Sequence, residues 1–137
     1  MHVQQMIASH PRVMGQTNDT LVRCIEACYD CAQTCTACAD ASLGENNNKT
    51  LLQSIRLSLD CADICAATGA IATRRTATSE DVMRTMLEAC IVACRICADE
   101  CGLHAAHHEH CRICAETCRS CMAACQAELQ NVGGALH

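Results

Sequence analysis

Tryptophan and phenylalanine are absent from this 137-residue chain, and Tyr29 is the only tyrosine. Aromatic rings normally supply much of a core's volume, so whatever fills this core is smaller. Proline occurs once, at Pro11, outside the long periodic stretches. A basic surplus is missing: ten Lys and Arg against fifteen Asp and Glu leave a formal charge of −5. Nucleic acid needs a basic face and is excluded as a partner. No run of eighteen or more apolar residues occurs, so no helix is expected to span a membrane. The stretch MHVQQMIASHPRVMG has neither a basic start nor an apolar h-region, and does not read as a secretory signal. Strict alternation is absent too, which removes the strand signal. The expected compartment is a reducing cytoplasm, where disulfides are rare.

Cysteine is what the chain has instead, sixteen of them, with seven histidines. Sixteen thiols in a reducing compartment read as metal ligands or redox groups rather than as staples. Their spacing is regular. CIEACYDCAQTCTAC holds Cys24, Cys28, Cys31, Cys35 and Cys38, at steps of four and three. Cys90, Cys94, Cys97 and Cys101 repeat the pattern, as do Cys111, Cys114, Cys118, Cys121 and Cys125, while Cys61 and Cys65 form a shorter set. Such steps put each set on one stripe of a helix, where a heptad carries its core residues.

Caps and breakers divide the chain into four long helices. Asn18 or Asp19 can cap the first, which runs to about Ser42 with Gly44 beyond. The turn ENNNK precedes a second run, about Lys49 to Thr73. Thr78 or Ser79 can cap the third, which reaches Gly102 to His104, and HAAHHEH makes the last corner before a run to about Asn131. Short links between long helices favour antiparallel neighbours. The expected fold is all-α: an antiparallel up-down-up-down four-helix bundle with a cysteine-lined core. Residues 1–16 form a short N-terminal helical segment ending near Pro11, 17–131 the bundle and 132–137 a flexible tail.

A stripe of buried thiols has several chemical readings. One or two buried cysteines are small hydrophobes. Sixteen would leave the bundle poorly filled, so something should occupy the space. Disulfides between i and i+4 would be strained, because their Cβ vectors run parallel along the helix. Thiols at i and i+4 can reach toward each other and hold a soft ion in a near-linear arrangement, which suits Cu(I). Zinc wants four ligands in a tetrahedron, which a straight stripe does not supply without convergence between helices. Charge favours copper as well. A buried thiolate needs neutralising. One Cu(I) per thiolate leaves a neutral core, whereas Zn(II) with four terminal thiolates leaves two negative charges. The bacterial ferredoxin spacing, C-x2-C-x2-C, is not the spacing seen here. Zn(II) or Cd(II) binding stays as the alternative, with an iron–sulfur or thiol-redox carrier behind it. No Ser/His/Asp group suggests an enzyme.

The two ends of the bundle should differ. One end collects Cys38, His104, His107, His108, His110 and Cys111, a candidate metal-binding mouth. His108 continues the third helix's stripe and His107 the fourth's, so one of these two is expected to point inward. Asn47, Thr50, Ser54 and Ser58 extend the Cys61/Cys65 stripe to that end as polar lining. The other end collects Leu21, Met83, Met86, Leu87 and Leu129, read as an apolar plug. Met6, Met14 and Met122 read as packing rather than ligands. Leu52, Ile55 and Leu59 form a second apolar strip, read as a subunit interface.

The repeated C-x3-C pairs, CIEAC, CAQTC, CADIC, CIVAC, CADEC, CAETC and CMAAC, carry a family resemblance over residues 18–130. The chain resembles the bacterial four-helix-bundle copper storage proteins, and the cytosolic branch among them. The resemblance implies a homotetramer of bundles, each binding multiple Cu(I) ions through its cysteines, with histidines near the open mouth.

Overall fold

The computed structural model describes residues 1–134, and among them every regular element is helical. Helix α1 (Val3–Ser9) stops because His10, ahead of Pro11, takes an extended conformation with ψ 133°. The chain then reverses at Gly15, whose φ of +82° suits only glycine without strain and whose N–H donates to the Ala8 carbonyl at 2.9 Å. Helix α2 (Asp19–Leu43) is capped by Asn18, whose Oδ1 accepts the Thr20 N–H at 3.0 Å. Gly44 ends it with φ −79°, so the glycine there is not used for a left-handed stop. A 3-10 turn (Asn48–Leu51) leads into α3 (Leu52–Thr73). Ser79 caps α4 (Glu80–Gly102) by accepting the Val82 N–H at 3.2 Å. Helix α5 (Glu109–Gly134) continues past the expected end at Asn131, because Val132 still packs against the core. The rest of the expected tail, 135–137, lies outside the described residues.

Each long helix packs against two others: α2 on α3 and α5, α4 on α3 and α5. The links are short, so neighbours run antiparallel and the four close into an up-down-up-down bundle. Helix α1 lies against α2 and buries Ile7 in the common core. Tyr29 sits where α2 meets α3. A Cβ on Gly69 would lie 3.1 Å from the Tyr29 ring, so this glycine makes room for the one aromatic side chain.

The core is the thiols. Every cysteine is buried, none more than 2 % exposed. Leu21, Met83 and Leu87 close the far end, with Leu129 partly buried beside them. That plug is not wholly apolar, because Glu128 is buried there too. At the other end lie the α2–α3 and α4–α5 corners. Leu51 and Ile55 are buried, so Ile55 belongs to the core; Leu52 and Leu59 are exposed. No helix among the described residues is long and apolar enough to cross a membrane.

Candidate metal centre

The four stripes meet along the bundle axis and bring sulfur against sulfur. Some close pairs lie one turn apart on a single helix: Cys31–Cys35 at 3.7 Å, Cys61–Cys65 at 3.8 Å, Cys97–Cys101 at 3.9 Å. Pairs between helices are as close. Cys35–Cys118 and Cys125–Cys90 lie at 3.6 Å, Cys28–Cys125 at 3.7 Å and Cys61–Cys94 at 3.8 Å. All sixteen are free thiols.

These pairs assemble into groups of four whose sulfurs lie within 4.8 Å of one another: Cys28, Cys90, Cys121 and Cys125; Cys31, Cys65, Cys94 and Cys121; Cys31, Cys35, Cys61 and Cys118; Cys35, Cys97, Cys114 and Cys118. The convergence that a straight stripe lacks is supplied by neighbouring helices. A tetrahedron of sulfurs about 2.3 Å from a common ion has edges of about 3.8 Å, so the spacing suits bound metal with little rearrangement. Membership shows that the groups cannot all be filled as independent sites. Cys31, Cys35, Cys118 and Cys121 each belong to two of these groups. A sulfur cannot be a terminal ligand of two separate zinc ions. It can bridge ions in a continuous chain, which soft monovalent copper accepts and which keeps the core near neutral.

Protonation follows the same network. Hydrogen bonding, from Cys125 first and then Cys28, lowers the Cys24 thiol to about 5. Cys121 is lowered to about 7, again by Cys125 first and then Cys28. Cys28, hydrogen-bonded to Cys121 and Cys125, is raised. Near the mouth Cys111 is pushed up to about 11, by burial first and then by the charge of Cys101.

The histidines are sorted by the α4–α5 corner. His110 enters the site: its Nδ1 lies 3.4 Å from Cys38 Sγ and 3.6 Å from Cys111 Sγ, and the three form one candidate ligand group. Its Nε2 lies 2.9 Å from Glu45 Oε2, which also meets His108 Nδ1 at 3.0 Å. His108 is thus held at the rim. His104, in the corner, pairs with Glu100 of the last turn of α4 at 3.1 Å, and His107 is exposed. The expectation that His107 or His108 points inward is corrected. The corner ends at His108 and α5 begins at Glu109, which turns His110 toward Cys38.

Three polar residues outside the expected set flank the thiol core. Glu45, from ENNNK, has its carboxyl pKa lowered, chiefly by the hydrogen bond to His110. Ser42 continues the α2 stripe four residues past Cys38, and Glu128 the α5 stripe three past Cys125; both are buried. The spacing was the signal for the last two. Of the remaining polar stripe, Ser54 and Ser58 are buried, while Asn47 and Thr50 stay outside the buried core.

Comparison with known proteins bears on the same residues. The family description "Copper storage protein" matches residues 17–130. The chain belongs to the copper storage protein family. Within the copper storage family, a cytosolic member from Streptomyces lividans, loaded with 10 copper equivalents, superposes with a TM-score of 0.87 at 48% identity, covering 93% of this chain and 96% of that one. The five-copper form of that protein gives a TM-score of 0.79 at 53% identity, over 81% of this chain and 92% of that one. A histidine-to-alanine variant gives 0.82 at 50% identity, over 83% and 95%. A comparison with curated protein sequences found no match.

Proposed function

We propose that this protein is a cytosolic store for multiple Cu(I) ions, held as cargo by the core thiolates, and that it performs no catalysis. The observation that carries this reading is the continuous, fully buried run of sulfurs shared between neighbouring groups of four, which one Cu(I) per thiolate leaves neutral. The ligands are Cys24, Cys28, Cys31, Cys35, Cys38, Cys61, Cys65, Cys90, Cys94, Cys97, Cys101, Cys111, Cys114, Cys118, Cys121 and Cys125. His110 acts with Cys38 and Cys111 where copper enters, and His104, His107 and His108 serve the rim. Support for the cytosolic placement comes from the S. lividans relative, which is described as a cytosolic copper storage protein. The working unit is the bundle, 17–131, with segment 1–16 docked on it through Ile7. A homotetramer is supported by exposed apolar side chains on its outer faces: Leu52, Leu59, Val92, Ile96 and Ile113.

Zn(II) or Cd(II) is the second reading, favoured by the tetrahedral spacing of the sulfurs. Anaerobic Cu(I) titration of the reduced protein against a competing chelator, with Zn(II) alongside, separates the two. Storage requires uptake on the order of one Cu(I) per cysteine. Saturation at about four ions with a tetrahedral signature would move the assignment to zinc. Sedimentation of the 14.7 kDa chain tests the tetramer.

A further inference from the structure

Half of the six methionines fall within the first fourteen residues, at Met1, Met6 and Met14. This segment precedes the stretch that the family description matches, residues 17–130. The expectation that Met6 and Met14 serve packing is corrected: they are 65 % and 81 % exposed, and Met1 is 76 % exposed. Met83, by contrast, is buried, and Met122 packs against the core. Methionine is favoured as a filler of apolar gaps, and on a surface that reason is lost. Helix α1 turns Ile7 into the core and packs Val3 against it. His2 and Met6 lie one turn apart, and the Met6 N–H donates to the His2 carbonyl at 2.9 Å. Side chains four residues apart are neighbours on one face. Met1, His2 and Met6 share a groove of about 470 Å³, floored in part by Tyr29 of α2 and Thr73 of α3. Among the described residues, no carboxylate lines it.

We propose that Met1, His2 and Met6 form an outer Cu(I) site, with two thioether sulfurs and one imidazole as its donors. The site goes beyond the storage reading, because none of its donors is a core cysteine. Thioether is a soft donor suited to Cu(I), and imidazole accepts copper as well. Zinc takes thiolate, imidazole or carboxylate, and so finds only His2 here. Calcium and magnesium need oxygen donors, which the groove does not gather. His10, the next imidazole along, is taken up elsewhere: its Nδ1 accepts the Arg12 N–H at 3.0 Å and its Nε2 meets Thr76 Oγ1 at 3.2 Å. It ties the segment to the α3–α4 link. Met14 lies in the turn beyond, with φ +53°, and does not line the groove. The three donors are neutral at neutral pH, whereas each core thiol must lose a proton to bind metal. The outer ion is therefore held without the charge pairing that thiolate supplies. It exchanges with solution more readily than copper in the core.

The test uses the full chain with isotopically labelled methionine methyl groups, reduced, loaded to saturation with Cu(I) under nitrogen and followed by methyl NMR. Further Cu(I), added as its acetonitrile complex, should shift the Met1 and Met6 methyl resonances and leave those of Met14 and Met122 in place. The shift should saturate with one added ion per chain. Zn(II) added instead should move neither methyl; movement by Zn(II) overturns the soft-ion assignment. In His2→Ala, and separately in Met6→Leu, the Met1 methyl should lose its shift at the same added copper. Both positions are exposed, so the bundle should keep its circular dichroism. Unmoved Met1 and Met6 methyls in the parent, or a Met14 shift as large as theirs, overturns the outer site. So does a Met1 shift that survives both substitutions. Saturation of the core at about four ions overturns storage and leaves this site to stand or fall on the methyl shifts, which lie outside the core.

Discussion

The mouth and the closed end of the tube are built on the same four stripes and finish them differently. At the mouth the last members are Cys38, His110 and Cys111, backed by Glu45 and by buried serines. At the closed end they are Leu21, Met83 and Leu87, with Glu128 held by Thr20 Oγ1 at 2.9 Å and by Asn131 at 3.4 Å. The packing geometry is alike at both. What differs is whether the terminal side chains can ligate a soft ion. Leucine excludes water and metal together; imidazole and thiol admit both. On the proposed storage function, a few residues at the stripe ends would set where copper enters, and the many between them how much is held.

Filling the tube should have the largest effect, because it makes the two ends depend on the thiols between them. Cu(I) binds the folded, gathered thiols better than the open chain, and each site adds to stability by linkage. The thermal midpoint should rise by on the order of tens of degrees, with helical circular dichroism nearly unchanged. A copper-free chain that was a random coil would break the picture of a preformed tube.

Truncation at the closed end comes next. Leu87 is fully buried. Leu87→Ala should destabilise the copper-free protein by about 2–5 kcal/mol in urea unfolding, because a cavity opens where the plug cannot collapse. Ser58→Ala at the other end should leave that stability unchanged or slightly raised. Equal losses at both ends would remove the contrast.

The histidines sharpen the mouth. His110→Ala should slow Cu(I) uptake by about tenfold in stopped-flow transfer from a chelator, the scale of losing a metal-proximal group. His107→Ala, at an exposed position, should match the parent in the same measurement. Equal slowing by both would make the corner a general basic rim rather than a site centred on Cys38 and Cys111.

The smallest effect concerns Glu128. Burial raises its carboxyl pKa above the usual value. The folded state then binds the proton more tightly than the unfolded chain. Copper-free stability should fall as pH rises from the ordinary glutamate range through the raised value. Glu128→Gln should flatten that slope while leaving uptake at the mouth unaltered. A slope unchanged by the substitution would show that other groups set it.

Much of this was legible in linear form. Steps of three and four placed every cysteine on an inward stripe, and Asn18 or Asp19 and Thr78 or Ser79 marked the helix starts, of which Asn18 and Ser79 are the caps. The histidines were harder. Stripe-counting favoured His107 and His108, but a corner changes phase, and His110 was the one turned inward. Glu128 and Ser42 lay on their stripes by spacing and were passed over because a carboxyl and a hydroxyl do not look like core. Glu45 had no periodic signal, since it meets His110 across 65 positions of chain.

The division has a physical reason. Periodicity is local: which residues share a helix face follows from 3.6 residues per turn, so the amino-acid sequence by itself determined a helical chain with a thiol core. Which sulfurs share an ion depends on the relative height of four helices, and which histidine enters depends on how a corner hands its phase to α5. Those are packing outcomes, decided when Leu87, Leu51 and the Tyr29–Gly69 contact seat the helices against one another. Only the tertiary structure joined Cys31, Cys35, Cys118 and Cys121 into overlapping groups of four.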